Sequence, residues 1–246
     1  MGGTATDRLE FFSDGVIAIA ITLLVLQIDV PDAHHGQLFH LLVRQWPSYA
    51  AYVLSFAVIG IMWVSHHSMF ERIGTIDRGL LFANLALLSG IAFLPFPTAL
   101  LAQYAHKGGA NAHIAAATYS ITMTMIGLAF LVIWWHLIRH PELLGEDVDP
   151  ANLRRSIRRA MVSPIVFGAT IGLAFVNAMA CFVVYGLAVA YFAAGPATAA
   201  LYQRRPRRDD RATPDDPSPR GPDPANAPTS VTRPAGPAAG AEAERR

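Results

Sequence analysis

Long apolar runs, separated by short polar segments, fill the first 202 residues of the 246-residue chain. A helix crossing a bilayer needs about 20 mostly apolar residues, and six segments reach or approach that length. The first runs from about Arg8 to Ile28 and stops before Asp29-Val30-Pro31-Asp32. The second, from about Trp46 to Met69, carries Pro47 near its start, where proline is tolerated. In the third, about Leu80 to Gln103, Pro95 and Pro97 are expected to kink or end the helix. The fourth covers about His113 to Ile138. The stretch Ala160 to Tyr202 is divided near Asn177 to Ala180, because Asn177 is its only strongly polar side chain; two short helices in a tight hairpin are expected. The pattern predicts an all-α integral membrane protein with six transmembrane helices.

Composition sharpens this picture. Only 15% of the residues are charged and 53% are hydrophobic, against about 25% charged in an ordinary soluble domain. Nine arginines, seven acids and nine of the 17 prolines lie from Gln203 onward, with no aromatic residue among them. Residues 203–246 therefore read as a disordered, solvated tail that cannot bury enough apolar surface to offset its ordering entropy, and residues 1–202 as the membrane domain. The first tail arginines, Arg204 to Arg211, could touch anionic headgroups of the membrane lipid. A net charge of +1 gives no reason to expect a nucleic-acid partner. The lone Cys181 cannot form an intramolecular disulfide.

Orientation follows from the basic residues. Arg8, Arg72, Arg78, Arg139, Arg154, Arg155, Arg158, Arg159 and the arginines after helix six fall on one side, and only Arg44 and Lys107 on the other. An even number of spans with both termini cytoplasmic in the cell membrane satisfies this bias. Arg154 to Arg159 are expected in a loop or amphipathic connector.

Candidate chemistry concentrates on the cytoplasmic side. Asp14 lies about one turn inside the first apolar run, beside Ser13. A carboxylate there either caps and anchors its helix at the interface or faces a polar interior or water-filled cavity. Beyond it, Phe12, Gly15, Ile19, Thr22, Leu23 and Leu26 share one stripe at helical spacing, which by itself is more often a packing face than a conduction path. His66 and His67 end the second span; either is expected to donate to Asp14, with Asn84 joining the network. Adjacent histidines diverge on a helix, so no metal site is expected from them, and His67 with Glu71 is a weak pair. His34, His35 and His40 are expected in a solvated outer loop. There is no catalytic triad at a shared depth, no phosphate loop, no potassium-channel Thr-Val-Gly-Tyr-Gly filter and no voltage-sensing helix, so neither an enzyme nor a bound cofactor is expected.

Arg8-x3-Phe12-Ser13-Asp14, Trp63-x2-His66, Asn84-Leu85 and Phe93-Leu94-Pro95-Phe96 occur in that order. Together they resemble the prokaryotic branch of the lysosomal/endosomal potassium-channel family, which has the FSD signature and lacks the usual filter. The resemblance implies a homotetramer of six-helix subunits with helix one lining a central pore permeant to K⁺. It implies a hydrophobic constriction at Ile19, with Leu23 and Leu26 as further apolar rings, and a polar ring bearing on cation preference at Thr22. It further implies that Arg8, Phe12, Ser13, Asp14, Trp63, His66 and Asn84 belong to the network that braces the helices. A ring of threonine hydroxyls without a rigid carbonyl cage implies modest K⁺ over Na⁺ selectivity. The competing reading is a proton-coupled or metal ion transporter using Asp14 and His66 as a relay. That reading predicts inverted repeats with broken helices, and only Pro95 and Pro97 offer such a break.

Overall fold

In the computed structural model, the described residues are 5–203, apart from 33, 35, 105, 106, 146, 147 and 149. His35 and the tail from Arg204 onward lie outside them. The described part is all-helical, with a single antiparallel bridge pair, Ile73 and Leu144, between two loops. Helix α1 spans Ala5–Leu23 and tightens into a 3-10 turn, Leu24–Gln27, before the polar run at Asp29. A short helix α2, Leu38–Arg44, follows in what the sequence suggested was loop. His40 sits on it and is exposed, as is His34 before it.

Helix α3 spans Trp46–Phe70, with Pro47 in its first turn, where a missing N–H costs nothing. Helix α4, Arg78–Phe93, starts at Asp77, whose carboxylate accepts the Leu80 N–H at 2.8 Å. The chain then breaks at Leu94 and resumes as α5, Pro95–Tyr104. Pro95 and Pro97 supply no N–H to carbonyls of α4, but proline fits the opening of a new helix.

Helix α6 spans Gly109–Arg139, α7 spans Pro150–Val176 and α8 spans Ala178–Gln203. Asn177 marks the division. Its N–H closes α7 on Leu173 O at 2.8 Å, and its Oδ1 accepts the Ala180 N–H at 3.1 Å, capping α8. Two expectations are corrected here. The last two helices are not short, with 27 and 26 residues, and Arg154 to Arg159 belong to the first turns of α7 rather than to a connector. A run of arginines is compatible with a helix that extends past the hydrocarbon into the headgroup layer.

Five helical stretches are long and apolar enough to cross a membrane: Ala5–Gln27, Trp46–Phe70, Arg78–Tyr104, Gly109–Arg139 and Leu153–Val176. A shorter apolar stretch, Ala178–Ala194, lies within α8. Helices α6 and α7 form the most extensive pair, and α1 packs on α3 and α4. Gly127 permits the α6–α7 approach, since a Cβ there would meet Pro164 Cδ at 2.9 Å. Small residues serve this purpose in lipid, where helix association depends on close packing.

Candidate pore helix and its polar brace

Helix α1 has two faces with opposite fates. Thr6, Leu9, Ser13, Ile17 and Ala20 are buried against the rest of the chain. Ser13 is the polar centre of this face. Its hydroxyl donates to Leu9 O at 2.8 Å and accepts from Asn84 Nδ2 at 2.9 Å. The Asn84 Oδ1 then accepts from His66 Nε2 at 2.9 Å. Because the Asn84 amide spends its N–H on Ser13, its oxygen requires a donor, and His66 must carry its proton on Nε2. His66 and Asn84 are both fully buried. Nδ1 of His66 is the one buried side-chain nitrogen or oxygen without a hydrogen-bond partner among the described residues. The His66 ring stacks on Phe70, with centroids 4.3 Å apart.

One residue on, the helical turn of about 100° carries Asp14 away from this core. It accepts the indole N–H of Trp63 at 3.0 Å. The expectation that a histidine donates to Asp14 is therefore corrected: His66 turns to Asn84, and His67 meets Glu10 at 2.8 Å. The i,i+1 divergence that argues against a shared metal also sends the two imidazoles to different partners. Arg8 is exposed, and among the described residues no hydrogen bond or ion pair joins it to these groups. The Glu10–His67 pair is absent from the sequence reading. Its signal was available, since Glu10 lies one turn before Asp14 and His67 one turn after Trp63.

The opposite face of α1 is bare. Phe12, Gly15, Ile19, Thr22, Leu23 and Leu26 are all exposed, Ile19 at 61% and Leu26 at 71%. None of the stripe drawn from periodicity thus belongs to the subunit's buried core. Thr22 donates its hydroxyl proton to Ile19 O at 2.8 Å, so its oxygen lone pairs remain to face outward as acceptors.

Other polar groups brace the bundle. Ser55, Thr98 and Tyr119 join α3, α5 and α6, with Ser55 Oγ at 2.8 Å from Thr98 Oγ1 and 3.3 Å from the Tyr119 hydroxyl. Ser120, Thr170 and Tyr185 do the same for α6, α7 and α8 at 2.9 and 2.7 Å. At the basic end, Asp77 receives His136 Nε2 at 2.9 Å. Partial burial raises the Asp77 carboxyl, but the Leu80 amide and the His136 ring outweigh it and hold it below its ordinary value. Among the described residues, no three His, Cys, Asp or Glu side chains come together to hold a metal ion.

These features define an all-helical, multi-pass membrane protein whose first helix is braced on one face by a buried polar chain and left bare on the other. The family described as endosomal/lysosomal potassium channel TMEM175 matches residues 8–95. A Streptomyces collinus protein named as a potassium channel is 48% identical over 186 residues, covering 75% of this chain and 90% of its own. The chain belongs to this family. The crystal structure of a lysosomal potassium-selective channel TMEM175 homolog from Chamaesiphon minutus superposes with a TM-score of 0.66 at 35% identity, covering 76% of this chain and 96% of that one. The chicken endosomal/lysosomal proton channel TMEM175 is 35% identical over 144 residues, covering 54% of this chain and 28% of its own. Ion channels of this family are not enzymes.

Proposed function

We propose that copies of this chain, four to a ring, form a potassium-permeable cation channel in the cell membrane, with α1 of each lining the axis. The observation that carries this reading is the bare stripe on α1 opposite the Ser13–Asn84–His66 brace. The brace fixes the rotation of α1, and with it the direction in which Ile19 and Thr22 point. Four Ile19 side chains around an axis would make an apolar constriction that opens by widening and wetting, with Leu23 and Leu26 as further apolar rings. Four Thr22 oxygens, their protons committed to Ile19 carbonyls, would offer lone pairs to a partly dehydrated cation. Flexible side-chain hydroxyls give modest K⁺ over Na⁺ preference. The relatives named as potassium channels support the permeant ion.

The clustering of Arg72, Arg78, Arg139, Arg154, Arg155 and Arg158 supports a cytoplasmic basic end, with both termini there. No soluble partner or cofactor is required in this reading. The alternative transporter relay lacks a link: Asp14 and His66 bond to different partners, Trp63 and Asn84. Flux through the purified protein in liposomes tests the proposal. K⁺ should pass down its own gradient, Na⁺ should pass less, and Ile19→Asn should raise the flux. Silence of both proteins, with uptake driven only by a proton gradient, would reject it.

A further inference from the structure

A cavity of about 690 Å³ lies between α3, α6, α7 and α8, apart from the bare face of α1. Its size is that of a ligand pocket, about 300–1,000 Å³. Its lining is graded along the helix axes. Val58, Met123 and Phe167 form the deep end, toward the middle of their helices, while Arg72, Ser68 and Ser156 line it at the basic end. Tyr191 and Ala194 on the α8 side are exposed, so the cavity opens outward from the bundle.

Arg72 is held in place rather than neutralised. Its carbonyl accepts the Gly145 N–H at 3.0 Å, its Nη1 donates to Ser156 Oγ at 2.7 Å, and its guanidinium lies 5.7 Å from the Trp134 ring centroid. It makes no ion pair among the described residues. Glu71, a carboxylate on the same rim, is exposed and lies 3.6 Å from His67, one turn back on α3. A half-buried guanidinium with one nitrogen committed keeps further N–H donors in fork geometry, which suits phosphate oxygens. The exposed Arg154 and Arg155 precede Ser156 in the first turns of α7 and add positive potential at the same end.

We propose that this cavity is a binding site for an anionic phospholipid, with one acyl chain in the apolar depth and the phosphate on Arg72. The gradient from arginine and serine to valine, methionine and phenylalanine runs along the membrane normal, as an amphiphile of the adjacent leaflet requires. A free phosphate would use Arg72 but leave the apolar depth without an occupant.

Native mass spectrometry of the detergent-solubilised full chain tests this, with phosphatidylglycerol and phosphatidylcholine of identical acyl chains as probes. Phosphatidylglycerol should be retained about tenfold better, because phosphatidylcholine offers the same phosphate but brings its trimethylammonium close to the Arg72 guanidinium, a like-charge contact that the net anionic lipid avoids. Arg72→Gln should abolish the preference and Arg72→Lys should keep most of it. Ala160→Phe, which fills the cavity wall and keeps the charge, should reduce retention of both lipids. Arg154→Gln with Arg155→Gln should leave the preference standing. Equal retention of the two lipids by the wild type would overturn the proposal. So would displacement by inorganic phosphate, an unchanged Ala160→Phe variant, or a preference lost with Arg154 and Arg155 but not with Arg72. The readout does not depend on ion flux, so it stands or falls separately from the channel reading.

Discussion

Asn84→Ala removes the centre of the chain that locks α1 to α3 and α4. Two hydrogen bonds disappear, from His66 Nε2 at 2.9 Å and to Ser13 Oγ at 2.9 Å. Inside membrane proteins such bonds are worth about 0.6 kcal/mol each, which accounts for about 1 kcal/mol. The larger consequence is that His66 keeps an N–H in a fully buried site, and an unpaired buried donor costs about 1–3 kcal/mol. The expected loss is therefore about 2–4 kcal/mol, measured by reversible denaturation in mixed micelles. A double-mutant cycle with His66→Leu isolates the bond. Removing both partners leaves no orphan donor, so the double variant should fall short of the summed single losses by about 1 kcal/mol. Additivity within about 0.3 kcal/mol would refute the reasoning, because uncoupled residues add to that precision.

Acid should weaken the basic end of the bundle. The Asp77 carboxyl is held below its ordinary 3.8 by the Leu80 amide and His136 against the pull of partial burial. On acidification the unfolded chain therefore binds the proton first. The contribution is complete above the unfolded value and is lost as pH falls through the folded one. Tm should drop on acidification below about pH 4, and Asp77→Asn should flatten part of that drop; equal slopes would contradict it. Gly127→Ala should destabilise by about 1–2 kcal/mol, since the new methyl meets the Pro164 ring at 2.9 Å and overpacking costs about 1–3 kcal/mol, more than the gain of up to about 1 kcal/mol in helix propensity. Denaturation midpoints decide it, and an unchanged midpoint would show that α7 gives way freely. Thr22→Val should lower the K⁺/Na⁺ permeability ratio by up to about fivefold, the worth of about 1 kcal/mol for one oxygen contact. Bi-ionic reversal potentials read this directly, and an unaltered ratio would remove Thr22 from the ion path.

The spans were legible because hydrocarbon imposes one rule on every helix that crosses it. Apolar length located α3 nearly to the residue, and two prolines located the break between α4 and α5. Asn177 divided the last apolar run because an amide side chain can both end one helix and cap the next. The short α2 was invisible, being too brief for any membrane signal. The start of α7 departs from the expected loop or amphipathic connector because a helix can carry arginines past the hydrocarbon. The polar brace was legible as a set of residues and illegible as a set of bonds. Ser13, Asn84 and His66 meet in one chain and Asp14 meets Trp63 in a separate pair, because which of two adjacent side chains turns inward depends on helix rotation, which periodicity fixes only to within a residue. Arg8 illustrates the limit: it belongs to the motif yet bonds to none of its members. The hydroxyl clusters around Tyr119 and Tyr185 left no sequence signal, because serine, threonine and tyrosine pass unremarked within apolar runs.

The central claim is that the bare face of α1 lines the ion path and the braced face does not. Cysteine substitution tests it with little background, since the chain has one cysteine, Cys181, and it is fully buried. K⁺ flux in liposomes would be measured before and after a membrane-impermeant thiol reagent, for Ile19→Cys and Thr22→Cys on the exposed face and Ile17→Cys on the buried one. The account predicts block of the first two, with Ile17→Cys and the wild type unaffected. Block through position 17 and none through positions 19 and 22 would place the pore on another face and overturn the account.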